Sequence, residues 1–183
     1  MIDHSDIALQ TKDLVKSTEE KVDRLVRHKN QEKIQKILEW LCPINPATKQ
    51  ADLLSDRQEG TGQWFLQTDR FRQWIYSTSS DQRTLFCPGI PGAGKTLLIS
   101  AVVNELHLSF QHNSSIGLAF FYCDFRERVT LNTILGSLLG QLARGLLIFP
   151  QPLEELYDEH LETRTRPTTS GLLEVLDLII SRF

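Results

Sequence analysis

Residues 89 to 96 read Gly-Ile-Pro-Gly-Ala-Gly-Lys-Thr and fill the pattern G-x-x-x-x-G-K-[ST] at every fixed position. The chemistry this spacing serves is phosphate binding. Glycines let successive backbone N–H groups curl around phosphate oxygens, and a helix starting at the end of the loop presents its positive pole to them. The eight candidate residues are Gly89, Ile90, Pro91, Gly92, Ala93, Gly94, Lys95 and Thr96. In such a loop the lysine reaches the β- and γ-phosphates and the Thr hydroxyl ligates Mg²⁺. The flanks suit the motif: an apolar, strand-like run at 84–88 enters it and a helix-like run at 97–103 leaves it. The competing reading is a glycine-rich turn that happens to contain Lys-Thr. The expected ligand is ATP or ADP with Mg²⁺, with GTP as the alternative.

Hydrolysis asks for a second acidic group to hold Mg²⁺ and position water. Asp124 ends the apolar run Leu118-Ala-Phe-Phe-Tyr-Cys-Asp124, and Asp177 follows Leu176 in a helix-like stretch. Asp124 is the candidate second Mg²⁺ carboxylate, and capping the turn begun by Phe125-Arg126-Glu127 is the plainer role for it. Arg126 and Arg128 are candidate γ-phosphate sensors or simply a solvated charge cluster. The five histidines and three cysteines show no metal-ligand spacing, and no Ser-His-Asp or Cys-His arrangement suggests covalent catalysis. No catalytic residue is assigned.

Several elements must position these residues. Residues 1–42 contain neither glycine nor proline and carry eight acidic and eight basic side chains. Ile34, Ile37, Leu38 and Leu41 fall at i, i+3, i+4 and i+7, and Val15, Val22, Leu25 and Val26 suggest a second stripe. One long helix or two abutting ones are expected, ending before Pro43. The alternatives for this segment are a coiled-coil or signalling module and a solvated helix docked by one face. Residues 43–80 form a connector and an aromatic helix with Phe71, Trp74 and Ile75 on one face, capped by Thr68 or Asp69. Its aromatics serve as core or as a stacking surface for a base. A buried strand is expected at 116–124. A helix follows, with Thr130 as N-cap and Gly145 as stop, and Gly136 and Gly140 would allow it close packing on a sheet. A short acidic helix at about 152–162 and a last helix with Leu172, Leu176, Ile179, Ile180 and Phe183 on one face complete the chain. Strand, phosphate loop, helix, strand and helix predict an α/β fold: a partial P-loop NTPase parallel sheet flanked by helices, preceded by an N-terminal α-helical segment. The expected domains are 1–42, 43–80 and 81–183.

A length of 183 residues and a hydrophobic fraction of 40% suit one domain with a small extra module. The net charge of −3 gives no electrostatic footprint for nucleic acid or an anionic membrane. Cys42, Cys87 and Cys123 are scattered and odd in number, which predicts reduced, mostly buried thiols. No signal peptide and no apolar stretch of membrane-spanning length are visible, so a cytoplasmic location is expected.

Three runs together carry a resemblance: Arg57-Gln-Glu-Gly-Thr-Gly-Gln-Trp-Phe-Leu66, then Phe71-x-x-Trp74, then Leu85-Phe-Cys-Pro-Gly-Ile-Pro-Gly-Ala-Gly-Lys-Thr96. With Phe120-Phe-Tyr-Cys-Asp124 and Arg164-Thr-Arg-Pro167, they make residues 40–183 similar to the fungal STAND NTPases of NACHT type, with their nephrocystin-like N-terminal P-loop domain. The resemblance implies an NLR-like nucleotide switch in which ADP holds a closed state and ATP favours an oligomeric, signalling one. It further implies partners reached through the N-terminal helices, either a second copy or a signalling protein. A Walker B strand would follow the last helix in that family and is not reached here, so hydrolysis is not expected. Two other readings stand beside this one: a small P-loop kinase for a nucleoside or metabolite, and a non-enzymatic helical adaptor or decoy.

Overall fold

The computed structural model describes residues 4–42, 44–77, 84–124, 126 and 128–183, and the described residues hold eight helices and no strand. The first, α1 (His4–Leu41), is one continuous helix of 38 residues. It meets no glycine or proline that would break it. Its last two turns bury Ile37, Leu38 and Leu41, while every residue from 18 to 32 is exposed. The same helix is thus an anchored element at one end and a solvated rod at the other.

The anchor is a four-helix cluster in which α1 packs with α6 (Leu131–Gly145), α7 (Gln151–Thr163) and α8 (Thr169–Ile180). Ile37, Leu139, Leu153, Leu172 and Ile179 are at most 1% exposed and form its centre. Burying each such side chain stabilises the fold by roughly 1.5–3 kcal/mol. The Thr130 and Thr168 hydroxyls accept the N–H groups of Thr133 and Gly171, capping α6 and α8. Gly136 faces the Leu41 backbone so closely that a Cβ there would collide with the Leu41 carbonyl oxygen. The close packing expected at Gly136 is therefore real, but its partner is α1 and not a sheet.

A second group comprises α2 (Pro46–Ser55), α3 (Gln63–Leu66), α4 (Asp69–Tyr76) and α5 (Lys95–Phe110). Asn45 caps α2 and Thr68 caps α4 through side-chain oxygens. Gln50, buried on α2, donates to the Ser100 carbonyl of α5 at 3.0 Å and accepts from the Tyr122 hydroxyl.

Among the described residues the expected α/β sheet is not formed. Residues 84–88 and 116–124 form no regular secondary structure, because a strand requires another run against its N–H and C=O groups, and neither supplies this to the other. At Phe120 a side chain takes the place of a neighbouring strand. Gln141 of α6 donates to the Phe120 carbonyl at 2.8 Å and accepts the Phe120 N–H at 3.2 Å. The apolar run thus reported contact with a helix surface rather than membership of a sheet. Cys123, expected to be buried with its strand, is exposed as a consequence; Cys42 and Cys87 are half-buried, and all three are free thiols.

Candidate functional site

The loop at 89–96 turns through two left-handed glycines, Gly92 at φ 81° and Gly94 at φ 76°. Side chains rarely adopt that backbone region, so the glycine spacing of the motif has a direct conformational cause here. The turn closes with Ala93 N–H on the Ile90 carbonyl at 3.2 Å. Lys95 opens α5, and its ammonium folds back across the loop to donate to the Gly89 and Ile90 carbonyls, each at 2.8 Å. Every residue from Gly89 to Thr96 is exposed. The loop is entered by a segment without regular secondary structure, so α5 and the lysine bridge fix its shape.

Cavities flank the loop on two sides. One, of about 320 Å³, brings Thr96 together with Asp124, Tyr122, Arg126 and, from α2, Lys49. Two residues proposed from sequence as Mg²⁺ ligands therefore share a cavity, although 27 positions lie between them. Asp124 is already engaged: it accepts from Arg126 Nε at 2.9 Å, Nη2 at 2.5 Å and the Arg126 backbone N–H at 3.0 Å. These bonds hold its carboxyl well below the usual carboxylate range. The backbone bond is the turn-capping geometry expected of an Asp in this position. Tyr122, half-buried against Gln50, has its phenol pushed up to about 12 by burial.

The other cavity, of about 400 Å³, lies between α3 and the start of α5 and is lined by Trp64, Phe65, Arg70, Lys95, Leu98 and Ile99 among others. Gly62 brings these elements together, since a Cβ at that position would stand 3.1 Å from the Ala101 side chain. Of the aromatics in this region, Phe71 is core at 2% exposure, whereas Trp64 is 69% exposed.

A metal centre built from protein side chains is not available: among the described residues no three His, Cys, Asp or Glu groups converge. A Mg²⁺ at this loop would take the Thr96 hydroxyl plus phosphate oxygens, a common arrangement for that ion. Asp124 would join such a site only by releasing Arg126. Asp177 lies in α8, away from the loop's cavities. Sequence reasoning missed Lys49, Tyr122 and Arg70. Lys49 and Arg70 stand in mixed helical stretches where a cation is unremarkable, and Tyr122 was hidden in an apolar run, so none carried a pattern. No helix among the described residues is long and apolar enough to cross a membrane.

Over 89 residues, 49% of this chain, the sequence is 34% identical to Vegetative incompatibility protein HET-E-1 of Podospora anserina. The matched stretch is 6% of that protein's length, so the chain corresponds to a small part of it. No solved structure matches the chain. The family model described as Nephrocystin 3, N-terminal, covers residues 60–182, which includes the loop at 89–96, the cavity between α3 and α5, and helices α3 to α8. By that match over most of its length, the chain belongs to the Nephrocystin 3, N-terminal family.

Proposed function

We propose that this chain is a helical signalling module that presents the free part of α1 to a protein partner, in the manner of an adaptor. The observation that carries the reading is the split character of α1. Ile37, Leu38 and Leu41 anchor it, while Val22, Leu25 and Val26 form an apolar patch at i, i+3 and i+4 that is 51%, 68% and 52% exposed. Exposed apolar stripes at helical spacing are how helices meet partner helices and grooves. Similarity to a vegetative incompatibility protein supports a role in a comparable response. The test is association of the full chain by sedimentation and by photo-crosslinking from position 25. Val22→Ser with Leu25→Ser should abolish the association and leave the melting temperature unchanged; equal association by the double variant would sink the reading.

A second reading is favoured by the loop itself. Left-handed Gly92 and Gly94, and Lys95 bridging the Gly89 and Ile90 carbonyls, support a loop shaped to take phosphate. On this reading the residues from Gly89 to Thr96 bind ADP or ATP, with GTP as the alternative, and Thr96 shares Mg²⁺ with the phosphates. Nucleotide would then be the ligand that switches the adaptor. Titration with fluorescent ADP and ATP, with and without Mg²⁺, tests it. Saturable binding lost in Lys95→Ala is expected, and a folded chain that binds neither nucleotide would refute it.

A further inference from the structure

The cavity between α3 and the start of α5 carries an inference that rests on the nucleotide reading and extends it. We propose that this cavity is a shelf for the flat ring of a purine nucleotide, with the Trp64 indole as the stacking surface and Lys95 as the charge that places the phosphates beside it.

Trp64 is exposed, yet it is braced. Its ring stands edge-on to Phe65 with centroids 5.7 Å apart, and Phe65 is tilted against Phe71 at 5.4 Å. Phe71 is core, so a chain of three rings ties an exposed indole to the interior. Such bracing reduces the freedom the side chain would lose on binding a ligand, which favours affinity. Gly62, at φ 84°, permits the approach that sets α3 beside the first turns of α5. The phosphate-binding lysine and the indole consequently border one space of about 400 Å³. The Lys95 ammonium at one wall and an apolar aromatic at the other match a molecule with an anionic tail and a flat ring.

The lining also says how the ring would be read. The Thr68 hydroxyl already donates to the Phe65 carbonyl at 2.7 Å and accepts the Phe71 N–H at 3.2 Å. Leu98 and Ile99 add apolar surface. With Arg70 as the other cation of the lining, recognition rests chiefly on the ring face, which every base offers and the larger purines offer most.

The experiment compares ADP with inorganic pyrophosphate on the full chain by calorimetric titration, using wild type, Trp64→Ala, Trp64→Phe and Lys95→Ala. ADP should bind more tightly than pyrophosphate. Trp64→Ala should weaken ADP by roughly 5- to 150-fold, the range of a lost base–aromatic stack, and leave pyrophosphate unchanged. Trp64→Phe should recover most of the loss, and Lys95→Ala should weaken both ligands. Unchanged pyrophosphate binding by Trp64→Ala doubles as the control for folding. If Trp64→Ala weakens neither ligand, or both equally, the shelf is overturned while the phosphate loop stands. If a folded wild-type chain binds neither ligand, the nucleotide reading falls and the shelf falls with it.

Discussion

Gly136 and Gly140 occupy equivalent places on α6, one turn apart, yet their surroundings separate them. A methyl group at Gly136 would collide with the backbone of Leu41, whereas at Gly140 it would rest 3.6 Å from a Leu38 methyl, an ordinary contact. Gly136→Ala is therefore expected to destabilise the chain by about 1–3 kcal/mol, the usual cost of overpacking. Gly140→Ala should be neutral or gain up to about 1 kcal/mol, since alanine favours the helix. Urea unfolding of the two variants checks this, and similar midpoints for both would contradict the placement of α1 on α6. Sequence alone marks the pair as small residues four apart; only the path of α1 tells them apart.

Among the elements, the helices were the legible part and the irregular segments were not. Apolar periodicity at Leu135, Leu139 and Leu142, with Thr130 before them, specified α6 locally, and its cap formed as expected. The runs at 84–88 and 116–124 have the composition of strands, but pairing is a property of two segments, and no single run encodes its neighbour. The loop at 89–96 was legible because its backbone turns on Gly92 and Gly94, which local sequence does encode. The cavities beside it join residues from α2, α3 and the 121–126 segment, and that assembly depends on tertiary packing. Segment 116–124 is held by two glutamine side chains, Gln141 at Phe120 and Gln50 at Tyr122. The half-buried Tyr122 phenol favours its neutral form, raised by desolvation from the ordinary value near 10 to about 12. Its contribution to stability is thus complete below pH ~10 and is lost as pH rises towards 12. One tyrosine should titrate late by tyrosinate absorbance, and this phase should vanish in Tyr122→Phe. The unfolding midpoint of that variant should also fall less steeply over the same alkaline range; an unchanged titration curve would refute the assignment.

At the scale of the whole molecule, the chain exposes 13773 Å². A compact monomer of 21.0 kDa would expose about 9,000 Å². Part of the excess is the free length of α1, where residues 18–32 are exposed throughout. Among the described residues, the ion-pair cluster fastening that helix to α7, Lys33 with Glu154 and Asp158, is itself solvent-facing and adds little hold. Limited trypsin digestion should cut first among Lys16, Lys21, Arg24, Arg27 and Lys29, leaving the segment from Ile34 onward intact. Protection of those sites would mean that another molecule covers the stripe at Val22, Leu25 and Val26. The anchoring of α1 at one end has a mechanical corollary. A helix of 38 residues spans about 57 Å, and some 45 Å of it lies beyond Ile34. It is a lever whose fulcrum is the seat of Leu41 on Gly136, so a tilt of about 5° there would sweep the far tip through roughly 5 Å. Rearrangements too small to notice in the helical core would be amplified at the end that a partner meets.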